Sequence, residues 1–144
     1  MAVTITAYNN FKKFIVDGTN IDLDTNTIKV ALCDSSYNPM LDTHDYFDDI
    51  THEISGGNYT AGGSTVTGLS LTVDTTNDRC KWDATDVTWT SLTMTDGRYG
   101  IIYKSTGVAG TSPLIAYINF GENKSITNGT LTITWHGNGI MLVS

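Results

Sequence analysis

The pattern of apolar and polar positions predicts one helix near the start of the chain. Between Ala7 and Val16, apolar residues recur every three or four positions while Asn and Lys occupy the intervening ones, which is the spacing of an amphipathic helix. Thr6 is placed to cap the first turn, and Gly18 lies just past the end. We therefore expect a short helix that lays one face on a sheet.

Beyond residue 26 the pattern changes to the short apolar or alternating runs that are typical of β-strands. Residues 27–32 (TIKVAL) are mostly apolar, which predicts a strand covered on both faces. The other predicted strands are residues 69–73, 79–82, 87–92, 98–103, 114–120, 130–135 and 140–143. Asp96-Gly97 and Asn128-Gly129 are expected to turn the chain between strands, because Asp-Gly and Asn-Gly favour tight hairpins.

Two further stretches are not strand-like. Residues 42–50 (DTHDYFDDI) are acidic and favour one helical turn, with Tyr46, Phe47 and Ile50 directed inward. Residues 55–68 contain five glycines and indicate a long, mobile loop.

About eight strands, one helix and regular turn signals therefore fill a chain of 144 residues that has neither repeats nor linkers. This length is that of one ordinary domain, spanning residues 1–144. Two amphipathic sheets must cover one another's apolar faces. The predicted fold is all-β, an antiparallel and jelly-roll-like β-sandwich with one short N-terminal helix.

The charge balance excludes two classes of partner. Eight Lys and Arg residues against fifteen Asp and Glu residues give a net charge of −7. A chain of this charge lacks the basic surface with which proteins bind nucleic acid or anionic membranes. No apolar run approaches the roughly 20 residues of a membrane span, so we expect a soluble protein with no nucleic-acid or membrane partner.

Cys33 and Cys80 are too few for a disulfide scaffold and have no C-x-x-C spacing. Each lies in an apolar, strand-like run, and buried free cysteine is common. Two free buried thiols are therefore the main expectation, and a single disulfide is the alternative.

The acidic run from Asp22 through Asp24 to Asn26 has the opening of a calcium-binding loop. Its sixth position is Thr27, where such a loop needs Gly, and its twelfth is Cys33, where it needs a bidentate Glu. A turn between strands explains the run better, with adventitious Ca²⁺ as the alternative.

His44, His52 and the neighbouring carboxylates have the residue types of a zinc or iron site. Their spacing is neither H-x-x-x-H nor H-E-x-x-H, so a solvated acidic face is the simpler interpretation. The chain also lacks a G-x-S-x-G nucleophile motif and a phosphate-binding loop. We therefore predict no enzymatic activity, no catalytic or metal-binding residues and no cofactor.

Aromatic residues are the remaining candidates for a binding face, and they are expected in the core, at an interface or on a ligand-binding surface. They are Trp82, Trp89 and Trp135, together with Tyr37, Tyr46, Tyr59, Tyr99, Tyr103 and Tyr117.

Several runs, in one order along nearly the whole chain, resemble a family of small virion proteins of tailed bacteriophages. They are residues 7–13 (AYNNFKK), 21–32 (IDLDTNTIKVAL), 57–63 (GNYTAGG), 73–78 (VDTTND), 86–89 (DVTW), 98–104 (RYGIIYK), 112–117 (SPLIAY) and 120–121 (FG). The resemblance implies a capsid decoration, or cement, protein. Such proteins are small and β-rich, and they bind the outer surface of the mature head as homo-oligomers that bridge neighbouring major capsid proteins.

The expected partners are thus the major capsid protein of a tailed phage and further copies of the chain, as a dimer or trimer. The protein would be made in the bacterial host cytoplasm and carried on the outside of the phage head. Two segments are expected to order on a partner surface, and the candidate contact residues are Ala2, Val3, Thr4, Gly57, Asn58, Tyr59 and Thr60. The alternative function is a tail- or fibre-associated β-sandwich module that binds host-surface glycans through exposed aromatic residues.

Overall fold

The computed structural model of the protein describes residues 3–18 and 21–144. It has a five-stranded sheet in the order β1-β7-β6-β2-β3 and a three-stranded sheet in the order β4-β5-β8. The strands are β1 (Thr4–Ala7), β2 (Ile28–Asp34), β3 (Ser64–Thr65), β4 (Ser70–Asp74), β5 (Arg79–Asp83), β6 (Val87–Lys104), β7 (Leu114–Ile133) and β8 (Met141–Val143). All their pairings are antiparallel, which confirms the predicted all-β sandwich.

The single α-helix, α1, spans Asn9–Val16 and buries Phe11 and Phe14. It begins later than predicted because Thr6 belongs to strand β1, and Tyr8 occupies the capping position without a side-chain cap. The expectation that Thr6 caps the helix is therefore wrong. Gly18, with φ of +67°, lies just past the helix end as predicted.

The large sheet is covered on both of its faces. On β2, Val30 and Leu32 pack into the core between the two sheets, while Ala31 and Cys33 pack into a second core on the opposite face. The segment that contains the 3₁₀ turn Phe47–Asp49 covers this second core, where Phe47 stacks on Tyr103 with ring centroids 4.1 Å apart. This double burial explains why β2 is mostly apolar on both faces.

Both predicted turns at Asp-Gly and Asn-Gly lie instead inside long strands. Asp96 has φ of +50° within the 18-residue strand β6, and Asn128 has φ of +46° within the 20-residue strand β7. The β6–β7 register shifts on both sides of Gly97, so Asp96-Gly97 forms a bulge where a hairpin was expected. Positive φ is required at both kinds of feature, which is why the sequence signal is the same.

Cys33 and Cys80 are both free. Cys33 is buried in β2 and Cys80 is half-buried in β5, so the two thiols lie in different sheets. Burial raises the pKa of the Cys33 thiol, which keeps it protonated and unreactive.

Candidate docking surface

Strand β1 lies at the open edge of the large sheet, and among residues 3–18 and 21–144 its one strand partner is β7. The Tyr8 amide donates to the Ile115 carbonyl at 3.0 Å. Hydrogen-bonded pairs alternate along an antiparallel ladder, so Thr6 and Thr4 also bond to β7 while Ile5 does not. The amide and carbonyl of Ile5 therefore point away from the sheet, where they have no partner among the described residues.

A cleft of about 600 Å³ opens beside β1. Its walls are Val3, Ile5 and Ala7 on one side and the chain from His136 to Leu142 on the other. The two walls belong to the edges of the two sheets, because β8 is also an edge strand. Val3 is 60% exposed and Ile5 is 37% exposed, so the sandwich leaves apolar side chains open to solvent here.

The described residues that line the cleft carry no negative charge, in a strongly acidic protein. Two smaller hollows of about 270 and 180 Å³ continue it beside Val3. Among the described residues that line all three, none is Asp or Glu, and Lys124 is the one formally charged side chain. An uncharged apolar surface of this kind is typical of a contact with another protein.

The predicted contact residues thus fall into separate regions. Val3 lines the cleft and Thr4 begins β1, whereas Ala2 lies outside the described residues. Gly57 pairs with Leu92 of β6, so the glycine-rich loop lies on the side of the β6–β7 pair opposite to β1.

The loop is held firmly to the large sheet by Tyr59 and Glu53, although we expected it to be mobile. The Tyr59 hydroxyl accepts from the Leu32 amide at 3.0 Å and donates to Glu53 Oε1 at 2.6 Å. The same carboxylate oxygen accepts from the Gly62 amide at 2.6 Å. Tyr59 is therefore an anchor of the loop, whereas its neighbours Gly57, Asn58 and Thr60 are exposed.

A pocket of about 320 Å³ lies next to this anchor and contains Lys29, Glu53 and Tyr103. The Tyr103 hydroxyl donates to the Gly62 carbonyl at 2.6 Å, and Glu53 holds the amide of the same residue. Its carboxylate and phenol thus fix the backbone of the loop.

Burial and neighbouring charge shift the acidity of these tyrosines. Burial, reinforced by the hydrogen bond to Glu53, raises the pKa of Tyr59. Burial and the Glu53 charge raise the pKa of Tyr103 to about 12. In the same second core as Tyr103, burial also raises the pKa of Tyr8 and Tyr37, whose hydroxyls are 2.8 Å apart.

Alkaline titration is expected to unfold the protein rather than ionise these four tyrosines in place. The unfolded chain loses tyrosine protons near pH 10, whereas folded Tyr103 keeps its proton to about pH 12. Stability is therefore complete below about pH 10 and falls as the pH rises above it. Tyrosinate absorbance and near-ultraviolet circular dichroism, recorded together, check this. Ionisation of all seven tyrosines near pH 10 with a native dichroism spectrum would contradict it.

The other sequence candidates are engaged in local structure. Asp22 accepts from the Asp24 amide at 3.3 Å, and Asn26 accepts from the Asp22 amide at 2.8 Å, so this run is a hydrogen-bonded turn. His44 Nδ1 lies 2.9 Å from the Tyr37 hydroxyl, and His52 is exposed. Among residues 3–18 and 21–144, no three His, Cys, Asp or Glu side chains are grouped to hold a metal ion.

The three tryptophans belong to the core between the sheets. Trp82 is fully buried, and Trp89 and Trp135 are 7% and 9% exposed. The Trp82 indole donates to the Leu23 carbonyl at 2.9 Å. These side chains therefore form no exposed platform for a sugar ring, and of the three roles considered for them the structure assigns the core.

Comparison with known proteins adds no relative. No protein-family model, curated protein or solved structure matches the chain. Within the described residues, no helix is long and apolar enough to cross a membrane.

The sequence analysis located Val3 and Thr4 but missed the residues facing them, notably Ile140 and Met141. A signal for β1 was present, because Val3, Ile5 and Ala7 alternate with Thr4 and Thr6. No sequence signal places residues 136–142 opposite β1, because the packing of the two sheets brings these two segments together.

Proposed function

We propose that the protein is a structural component of a tailed-phage virion, a capsid decoration protein that binds the outer surface of the mature head. It stabilises the shell by contacting neighbouring major capsid proteins. The resemblance of its residue runs to small virion proteins supports this function. It acts by burying surface and makes no covalent bond.

The observation that carries the proposal is the placement of two exposed regions at separate places along the large sheet. Val3 and Thr4 lie on one side of the β6–β7 pair, and Gly57 to Thr60 lie on the other. The Glu53–Tyr59 anchor fixes the second region to the large sheet. The second region is the one proposed to contact the shell, because it is exposed and firmly held. Binding only the assembled shell then stabilises that shell by mass action.

In this proposal the shell contacts the exposed loop residues Asn58 and Thr60. Neither side chain is needed for the fold, because the loop's hydrogen bonds are made by Tyr59 and by backbone groups. The net charge of −7 favours solubility at a high copy number.

Co-sedimentation with phage particles tests the proposal. The purified protein is expected to bind saturably to mature, DNA-filled heads of the phage that encodes it, at a fixed ratio to the major capsid protein, and not to purified tails. The double variant Asn58→Arg/Thr60→Arg is expected to lose about tenfold or more in affinity, in the range of central contact residues. The matched control is Thr130→Arg, an exposed threonine on β7, and it should bind normally.

Other outcomes of the co-sedimentation would contradict the proposed function or the proposed contact residues. Binding to tails alone, or to neither particle, would exclude the decoration role. Tail binding would favour a tail- or fibre-associated module, to be tested next on glycan arrays. Normal head binding by the double variant would remove the loop from the contact.

A further inference from the structure

We propose that β1 is the strand through which two copies of this chain join, antiparallel about a two-fold axis at Ile5, so that their large sheets become continuous. This inference concerns the protein in isolation and does not depend on attachment to a phage head. It follows from the unpaired backbone of β1, the absence of edge protection and the charge of the surrounding surface.

The backbone of β1 fixes how a second copy pairs. Ile5 directs its amide and carbonyl outward, and Val3 and Ala7 share that direction because they are two residues away. With Ile5 opposite Ile5 of the partner subunit, Val3 lies opposite Ala7 of the partner subunit. Every outward amide and carbonyl of this stretch then meets a complementary group.

β1 lacks the devices that normally prevent edge strands from pairing. Its residues, Thr4–Ala7, include no charged side chain and no Pro, and its register with β7 is regular. The edge strand of the small sheet, β4, differs, because Asp74 ends it and is paired with Arg79 at 3.0 Å. The remaining edges, β3 and β8, have only two and three residues.

The charge distribution selects this face for contact between two copies. Each copy carries −7 and repels the other. The cleft beside β1 has no carboxylate among its described lining residues, so two copies meet here with the least repulsion. A two-fold contact places the same patch on both sides, and an uncharged apolar patch is complementary to itself.

Pairing at β1 also removes the exposed apolar side chains from water. Val3 and Ile5 line the same cleft, and in a continuous antiparallel sheet their counterparts in the second copy lie on the same face. The two clefts therefore adjoin along one side of the joined sheets. Val3 and Ile5, at 60% and 37% exposure, become a shared apolar strip.

Sedimentation equilibrium of the purified protein tests the proposal. At about 100 μM, a concentration at which even a micromolar complex is formed, the wild-type mass should be twice 15.6 kDa, that is 31.2 kDa. The Ile5→Lys variant places two ammonium groups opposite each other and should weaken association by about tenfold or more. Val73→Lys, at a 74% exposed valine on the other long edge strand, is the matched control and should remain dimeric.

A cross-link keeps the test valid if Ile5→Lys does not fold. In a Cys80→Ser background, the Ile5→Cys variant should form a disulfide-linked dimer on mild oxidation. Hydrogen-bonded antiparallel residues have Cα atoms about 5.5 Å apart, which is within disulfide range. A monomeric or trimeric wild type, or dissociation by Val73→Lys and not by Ile5→Lys, would overturn the proposal. None of these results requires a phage head, so the dimer and the decoration role succeed or fail separately.

Discussion

Replacing Gly63 with alanine is expected to lower the free energy of unfolding by about 4 kcal/mol, which is at the upper end for a single substitution. A Cβ atom at this position would lie 1.9 Å from the Val30 carbonyl oxygen and 2.5 Å from its carbonyl carbon. These are backbone atoms of β2, in the middle of the large sheet, and they cannot move aside without breaking the ladder. The positive φ of +79° adds strain for any side chain.

Gly107→Ala is the matched control. Gly107 has a similar φ of +87°, but nothing lies within 4 Å of its added Cβ. The Gly107→Ala variant should therefore lose only the free energy of unfolding that the backbone strain costs, about 1 kcal/mol. Urea denaturation of both variants separates strain from close approach. Equal losses at the two positions would show that the loop does not press against β2 as described.

Truncating Trp82 to alanine is expected to cost about 3–5 kcal/mol, as for other large buried aromatic residues. The side chain is fully buried and links β5 to the core between the sheets. Its indole also donates to the Leu23 carbonyl at 2.9 Å. Trp82→Phe retains most of the apolar contact but leaves that carbonyl unpaired, so we expect an intermediate loss of about 1–3 kcal/mol.

The exposed Val73 on β4 provides the comparison. Val73→Ala should change stability by no more than about 0.5 kcal/mol, because the valine is 74% exposed. Chemical denaturation with dichroism detection measures all three variants. If Trp82→Ala were no more destabilising than Val73→Ala, the small sheet would not be packed on the large one through this residue.

Periodicity predicted the elements whose packing is local. Helix α1 follows from the spacing of Phe11 and Phe14, and β2 from the mostly apolar run TIKVAL. Their side chains are buried on the faces that the spacing indicates. Such patterns are reliable because burial repeats with the period of the element itself.

The connections between strands were predicted less well. Asp96-Gly97 and Asn128-Gly129 supply the positive φ that a turn requires, but the structure uses both inside β6 and β7. These two dipeptides indicate only that the backbone can bend at these positions. Whether it reverses or continues depends on the partner strand across the sheet, which is distant in sequence.

The candidate surface was predicted only in part. The sequence indicated Val3, Thr4 and the loop around Gly57. It also predicted that this loop is mobile, whereas hydrogen bonds to Glu53 and Leu32 hold the loop in place. Tyr59 becomes an anchor because β2 and residue 53 are brought beside it. That contact joins groups 27 residues apart.

The sequence by itself determined an acidic, all-β chain with one amphipathic helix, because composition and periodicity express the burial of each segment. Only the tertiary structure decided which edges remain open and what faces them. The cleft beside Ile5 exists because residues 136–142 pack across from β1. The described residues that line it include no carboxylate, although the chain as a whole carries −7. That difference follows from which segments the fold brings together. Local patterns record how deeply each residue is buried, but the neighbours across a gap are set by the folding of segments far apart in the chain.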